Sequence, residues 1–163
     1  MFHIRLIQEE DVDSFRETLG AVARERKFLA FVDSPTEEGT RQYVRSNIEK
    51  GVSHYVAVDD GNVVGWCDIT RNTSRPVFSH IGRLGMGVSV AHRGKGIGRA
   101  LITAALKHAR EQGLNRVELE VYTSNEPAKA LYKSLGFEPE GIKRKHAFFG
   151  DRFEDSELMA LFV

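Results

Sequence analysis

The residues best suited to chemistry lie in one short stretch, where Arg93, Gly94, Lys95, Gly96 and Gly98 follow an apolar run and precede a helical pattern. Glycine has no Cβ, so backbone N–H groups can approach an anion closely and the turn can adopt positive φ angles. The first turn of the following helix adds unpaired N–H groups and the positive end of the helix dipole. Arg93 and Lys95 would add full positive charges at the rim. The stretch therefore predicts a binding site for a phosphate group.

Spacing separates three kinds of phosphate-binding loop. A Walker-type loop requires a glycine, four residues and then Gly-Lys-Ser/Thr, whereas here Gly94-Lys95 is followed by Gly96. A dinucleotide fingerprint requires G-x-G-x-x-G, and Gly98 comes one residue too early for it. The pattern Arg-x-x-Gly-x-Gly, directly after a predicted strand, fits instead. It resembles motif A of the GCN5-related N-acetyltransferases, whose loop holds the pyrophosphate of acetyl-CoA.

A second motif follows at the distance expected for the same family. Residues 125–137 read Asn-Glu-Pro-Ala-Lys-Ala-Leu-Tyr-Lys-Ser-Leu-Gly-Phe. They resemble motif B of that family, Asn-x-x-Ala-x-x-Leu-Tyr-x-x-x-Gly-Phe. Because two motifs occur in the right order, the chain is identified as a member of the family. The resemblance covers residues 52–163 well and the first fifty residues only by the order of their elements.

The resemblance implies an acetyl-CoA-dependent N-acetyltransferase in which a primary amine attacks the thioester directly. The implied acceptor is either a small amino-acid-like molecule or a protein N-terminus, and the segment 24–43 would form part of its wall. Two strands of the family diverge to admit the pantetheine arm. The residues implied to bind acetyl-CoA are Val88, Ser89, Val90, Arg93, Gly94, Lys95, Gly96, Ile97, Gly98, Arg99, Asn125 and Tyr132.

Two of these residues could instead have a purely structural role. Tyr132 falls on the family tyrosine that returns a proton to the departing thiolate, and an ordinary phenol with a pKa near ~10 is protonated at neutral pH. It also suits the apolar face of a helix, where its only role would be to pack in the hydrophobic core. Asn125 would contact pantetheine, but its capping of the next helix would by itself explain an asparagine there.

The general base is not assigned by the motifs. Members of the family commonly carry a glutamate on the strand before the loop, yet residues 81–90 contain no acidic side chain. Asp68 on the preceding strand, His80, Glu120 on the following strand, and a water chain to backbone carbonyls are the candidates. A non-catalytic acyl-CoA-binding regulatory module is the alternative function that this absence leaves open.

Length, charge and cysteine content limit the number of domains and the other kinds of function that the chain could have. The 163 residues suit a single domain spanning 1–163, and 23 basic and 23 acidic side chains give a formal net charge of zero. No overall field therefore directs the chain to nucleic acid or to a membrane. The single cysteine, Cys67, and the spacing of the six histidines predict neither a disulfide nor a metal site. Without a membrane-spanning run or signal peptide we expect a cytoplasmic location. Dimers are common among such relatives, so a homodimer is expected by analogy only.

Hydrophobic periodicity predicts a mixed α/β fold, and the resemblance implies a single, mostly antiparallel central sheet flanked by helices. The predicted order is strand, two helices, three strands, helix, strand, helix and two strands. The helices are predicted over 9–26, from Ser34 as N-cap with Pro35 in the first turn to Gly51, from 97 to Gly113, and over motif B to Gly136. The strands are predicted around 2–7, 55–58, 63–69, 81–90, 116–122, 137–149 and 152–163, with a hairpin turn at 59–62.

Overall fold

The computed structural model describes all 163 residues. The strands are β1 (His3–Leu6), β2 (Ser53–Asp59), β3 (Asn62–Arg71), β4 (Ile81–Val88), β5 (Arg116–Tyr122), β6 (Glu138–Phe148) and β7 (Phe153–Phe162). The helices are α1 (Val12–Arg24), α2 (Glu37–Glu49), α3 (Ile97–Glu111) and α4 (Glu126–Ser134). The α/β class and the order of these elements are as predicted.

Several predicted boundaries differ by a few residues from the structure. The helix predicted over 9–26 is a 3-10 turn over Glu9–Asp11 followed by α1. Helix α2 is capped by Thr36 rather than Ser34, because the Thr36 hydroxyl accepts a hydrogen bond from the N–H of Gly39 at 3.1 Å. The chain before it is held to α1, where Arg16 donates to the carbonyl of Pro35 at 2.7 Å. Strand β4 ends at Val88 rather than Val90, because residues 90–92 turn into a short 3-10 helix.

The turns follow the predicted glycine chemistry. Asp60 and Gly61 form a two-residue hairpin turn with φ angles of 48° and 77°, the left-handed pair that a hairpin of this length favours. Gly113 and Gly136, at the ends of α3 and α4, also have positive φ angles of 79° and 95°. These residues stop each element where the hydrophobic pattern stops.

The seven strands form one sheet in the order β1-β2-β3-β4-β5-β7-β6. The only parallel pair is β4 with β5, and it is short, since residues 81–83 pair with residues 116–118. Beyond that point β4 continues beside β3 and β5 continues beside β7. The two strands therefore separate toward their carboxyl ends, as predicted, and we call the opening between them the β4–β5 gap.

Each face of the sheet carries its own core. On one face, here the α3 face, α3 and α4 pack on a core that includes Leu84, Leu101 and Tyr132. On the opposite face, here the α1 face, α1 and α2 pack on a smaller core that includes Phe15 and Trp66. Because α1 and α2 make their main contacts with β2, β3 and β4, polar side chains of β5 remain accessible on the α1 face.

Candidate active site

The loop that begins at Arg93 and ends at Gly98, here the glycine loop, presents unpaired backbone donors. Gly94 and Gly96 have φ angles of 73° and 81°, and open space lies where their Cβ atoms would be. None of the N–H groups of residues 94–99 has an acceptor within the chain, and the first bond of α3 runs from Ala100 to the carbonyl of Gly96 at 3.1 Å. Six consecutive free donors at the amino end of a helix fit a phosphate group.

The two cations of the glycine loop differ. Lys95 is exposed and forms no ion pair. Arg93 donates through Nε to the carbonyl of Val88 at 2.9 Å, and through Nη1 and Nη2 to the carboxylate of Glu25 at 3.0 and 2.5 Å. Its guanidinium also lies 4.9 Å from the ring centroid of Phe28. The charge of Arg93 is therefore paired within the chain, and the side chain joins the loop to the end of α1.

The first turn of α3 is attached to the protein through its side chains. A Cβ on Gly98 would lie 3.1 Å from Leu131 and 3.3 Å from Met86, so glycine allows α3 to approach α4 and β4 closely. Ile97 is buried in the core, and Arg99 donates to the hydroxyl of Ser134 at 2.7 Å. The side chains therefore fix the loop, whereas its backbone stays available for a ligand.

The predicted residues at the end of β4 lie beside the β4–β5 gap, but several of their groups are already used. The carbonyl of Val88 accepts from Arg93, and the N–H of Ser89 donates to the carbonyl of Val64 at 2.9 Å. The Ser89 hydroxyl contacts Nδ1 of His92 at 2.8 Å. Val90 has left the strand, and its side chain is 72% exposed.

Residues of motif B form the opposite wall on the α3 face. The side chain of Asn125 accepts from the N–H of Ala128 at 3.3 Å, so it caps α4 as predicted. Tyr132 is only 7% exposed and packs on Phe137, with ring centroids 5.8 Å apart. Burial raises the pKa of the Tyr132 phenol, the nearby Cys67 thiol raises it further, and no hydrogen bond contributes. The hydroxyl is therefore protonated throughout the neutral range.

The glycines of β4 leave room for side chains of β3. Gly85 is the cross-strand partner of Asp68, and a Cβ at Gly85 would lie 3.6 Å from Oδ1 of that carboxyl. A Cβ at Gly87 would lie 2.3 Å from the buried ring of Trp66. Asp68 and Trp66 thus occupy the space above β4 that larger residues on β4 itself would fill.

Asp68 has the electrostatics of a base that works near neutral pH. It is 9% exposed, and burial raises its pKa to about 7, although a hydrogen bond from Tyr43 of α2 opposes this effect. Tyr43 itself is 40% exposed. His54, the partner of Asp68 on β2, is buried and neutral because burial lowers its pKa to about 4. A carboxyl with a pKa near the working pH can accept and release a proton readily.

The other two candidate bases are less suited. Glu120 contacts Lys143 at 2.7 Å, Arg83 at 3.3 Å and His146 at 3.5 Å. Burial of Glu120 would raise its pKa, but these partners outweigh burial and lower it, so the carboxylate accepts protons poorly. His80 is exposed and precedes the amino end of β4, where the two strands are still paired. It lies away from the β4–β5 gap.

Comparison with known proteins identifies the family. Residues 16–137 match the acetyltransferase (GNAT) family. The chain belongs to this family. It is 33% identical to an L-amino acid N-acetyltransferase of Escherichia coli over 68% of each chain. It is 40% identical to the N-alpha-acetyltransferase RimI of Mycobacterium tuberculosis over 58% of each chain.

A solved structure shows the same fold with acetyl-CoA bound. It is a GNAT superfamily phosphinothricin acetyltransferase from Sinorhizobium meliloti, with a TM-score of 0.92 and 21% identity over 99% of this chain and 88% of that one. Because it belongs to the acetyltransferase (GNAT) family, the protein described here is an acetyl-CoA-dependent N-acetyltransferase. The family match and the named relatives do not favour the regulatory-module alternative. No helix is long and apolar enough to cross a membrane, and no cluster of side chains is arranged to hold a metal ion.

The GNAT protein has a cleft of about 660 Å³ at the carboxyl end of β5. Its walls are residues 25–28 after α1, Ser124 after β5, and residues 149–154 around the β6–β7 turn. Arg26 donates to the carbonyl of Phe149, and Arg152 donates to the carbonyl of Arg26, so the two walls are joined. The segment 24–43 was expected to line an acceptor site, whereas no motif pointed to the β6–β7 turn.

Sequence reasoning also missed three side chains that shape the site. Glu25 stands in the charged run Arg24-Glu25-Arg26-Lys27, which gives no sign that one of its members reaches Arg93, 68 residues further on. Tyr43 follows the apolar pattern of an amphipathic helix and gave no separate signal. Arg83 is the one charged residue of β4, and only its strand position distinguishes it from other surface arginines.

Proposed function

We propose that this GNAT protein acetylates the amine of an amino-acid-like molecule or of a peptide N-terminus, with Asp68 as general base and Tyr132 as general acid. The observation that carries the assignment is the pairing of Asp68 with Gly85, which places a carboxyl of pKa about 7 over the strand that borders the β4–β5 gap. The names of the two curated relatives support an acceptor amine on an α-carbon.

Acetyl-CoA supplies an acetyl group activated as a thioester. The six free N–H groups of residues 94–99 would hold its pyrophosphate, with Lys95 as the available cation. The end of β4 from Val88 to Val90, together with Asn125 and Tyr132 across the gap, would hold the pantetheine arm. The family's phosphate site and this donor arrangement agree in chemistry, because phosphate oxygens accept hydrogen bonds from backbone N–H groups.

The two proton transfers would take place on opposite faces of the sheet. Tyr132 belongs to the core of the α3 face, whereas Asp68 lies with Trp66 on the α1 face. An acceptor amine that approaches from the α1 face would give its proton to Asp68, which returns it to solvent through Tyr43. Tyr132 would donate the proton that the departing thiolate needs. The β4–β5 gap is where the two approaches meet.

The remaining expectations are part of the same proposal. The acceptor is a small molecule or a peptide, and we propose neither nucleic acid nor a membrane as a partner. We also propose a cytoplasmic location; the one cysteine, Cys67, is buried and free. A homodimer stays a prediction by analogy with relatives.

The decisive experiment measures thiol release from acetyl-CoA with a panel of amino acids, amino acid amides, short peptides, polyamines and aminoglycosides. We expect saturable release above the acceptor-free rate with at least one amine on an α-carbon. Asp68→Asn should lower kcat/KM with that acceptor at least a hundredfold, while the exposed control Asp13→Asn on α1 should not. If acetyl-CoA raises the melting temperature but no amine accelerates thiol release, the proposed function is refuted.

A further inference from the structure

We propose that Arg83 binds the carboxylate of the acceptor, so that the preferred substrates are α-amino acids with a free carboxylate rather than peptide N-termini. The inference rests on the proposed function, because it takes the acceptor amine to lie near Asp68. It concerns a residue at the vertex of the β4–β5 gap that neither motif includes.

Arg83 occupies the last position at which β4 and β5 are paired. Its cross-strand partner on β5 is Glu118, and beyond this pair the two strands separate. The side chain of Arg83 reaches Glu120 on the α1 face of β5, and the next β4 residue on that face is Gly85 beside Asp68. Residues two apart on a strand face are roughly 7 Å apart. Arg83 and the strand position beside the proposed base are therefore neighbours on one face of β4, and the acceptor would lie between them.

The side chain of Arg83 is largely exposed and only weakly paired, so it can bind a ligand. Its side chain is 65% exposed, and its one ion pair is a 3.3 Å contact with Glu120. Lys143 already satisfies the same Glu120 oxygen at 2.7 Å, and His146 contacts the other oxygen at 3.5 Å. One carboxylate thus contacts two full cations and a histidine. The surface near the gap therefore carries an excess of positive charge, which favours the binding of an anion.

The neighbouring arginines are committed to other partners. Arg116, further along the α1 face, is shared by Glu118 and Glu140. Arg93 is paired with Glu25 at the edge of the cleft, and Arg152 in the cleft is paired with Asp151 and Glu154. Lys27 is unpaired, but it lines the cleft at the far end of β5 from Arg83. Among these cations, Arg83 is the one on the face of β4 that also carries Gly85, the cross-strand partner of Asp68.

The chemistry of the acceptor follows from this placement. An α-amino acid carries its carboxylate one carbon away from the amine, and a guanidinium binds a carboxylate through two parallel hydrogen bonds. When the amine lies at Asp68, the carboxylate can face Arg83 while the acceptor side chain extends toward the cleft. An amino acid amide or a peptide N-terminus has a neutral carbonyl at that position and loses the charge-assisted bond.

The test compares matched acceptors with matched variants. For the wild type we expect a KM for a free L-amino acid at least tenfold below the KM for the amide of the same amino acid. Arg83→Gln should raise the KM for the free amino acid at least tenfold, leave the KM for the amide and for acetyl-CoA within twofold, and abolish the preference. Arg83→Lys should restore part of it, since a charge remains without the planar fork.

Two further variants keep the inference falsifiable. Arg144→Gln removes an exposed, unpaired arginine of β6 and should change none of these constants. If Lys27→Gln rather than Arg83→Gln raises the KM for the free amino acid, the carboxylate lies in the cleft and the inference is overturned. If amides or peptides are acetylated as well as free amino acids, Arg83 has no such role although the acetyltransferase activity stands. If no amine is acetylated, the proposed function itself has failed.

Discussion

Replacing Asp68 by asparagine should make the protein more stable and less active at the same time. The carboxyl is buried between β3 and β4, and burial raises its pKa from an ordinary value of 3.8 to about 7. Because the folded pKa is the higher one, the folded protein binds more protons than the unfolded chain between roughly pH 4 and pH 7. Stability contributed by this group is therefore full below pH 4 and is lost as the pH rises through 7.

The size of the effect follows from the displacement of the pKa. A change from 3.8 to about 7 corresponds to roughly 4 kcal/mol between the two protonation states. Asparagine is neutral at every pH and can still accept the hydrogen bond from Tyr43. Asp68→Asn should therefore match the wild type at pH 4 and exceed its free energy of unfolding by a few kcal/mol at pH 8. The other titrating groups are common to both proteins and cancel in the difference.

Urea unfolding at pH 4, 6 and 8 measures this difference, and steady-state kinetics supplies the second half of the test. In the wild type kcat/KM should rise with pH through about 7 as Asp68 ionises. General bases contribute about 10²- to 10⁴-fold, so Asp68→Asn should lose at least a hundredfold and also lose that pH dependence. If Asp68→Asn is less stable than the wild type at pH 8, the ionised carboxylate is a stabilising group and our reasoning about its burial is wrong.

Four further substitutions test the parts of the site separately. Tyr132→Phe should lower kcat at least tenfold and leave the dissociation constant of acetyl-CoA within twofold, as measured by kinetics and calorimetry; an unchanged kcat would remove Tyr132 as the acid. Gly96→Ala forces a side chain into a φ angle of 81° in the glycine loop and should raise the dissociation constant of acetyl-CoA at least tenfold, whereas equal affinity would show that the loop does not hold the ligand. Gly87→Ala should lower the free energy of unfolding by about 1–3 kcal/mol, because its Cβ would lie 2.3 Å from Trp66, and Gly85→Ala, with its nearest atom at 3.6 Å, should cost less. Equal effects of the two in urea unfolding would contradict that account.

The parts of the fold that local patterns control were predictable. Period-two and period-3.6 hydrophobicity gave the order of strands and helices, and the Asp60-Gly61 turn predicted the β2–β3 hairpin. The N-cap of α2 was misassigned because Ser34, Pro35 and Thr36 all suit a helix start. Only the fold decides among them, since Arg16 holds Pro35 outside the helix.

The parts of the site that depend on distant contacts were not predictable. Arg93 reads as a cation for phosphate in its own motif, and its pairing with Glu25 arises only when α1 packs beside the end of β4. Likewise, the pKa of Asp68 depends on burial under α2 and on the register of two strands. A sequence gives the ionisable group, whereas the sheet gives its environment.

The missing glutamate of β4 shows how these two kinds of information combine. From the sequence, a strand over 81–90 without an acidic residue favours a binding module, because the proton of the amine has no acceptor on it. In the fold, Gly85 has no side chain, and the carboxyl of Asp68 on the adjacent strand lies 3.6 Å from where its Cβ would be. The missing glutamate of β4 and the presence of Gly85 therefore belong to one arrangement, in which β3 rather than β4 supplies the carboxylate. A base delivered in this way requires a small residue at 85, so the identity of Gly85 and the function of Asp68 depend on each other.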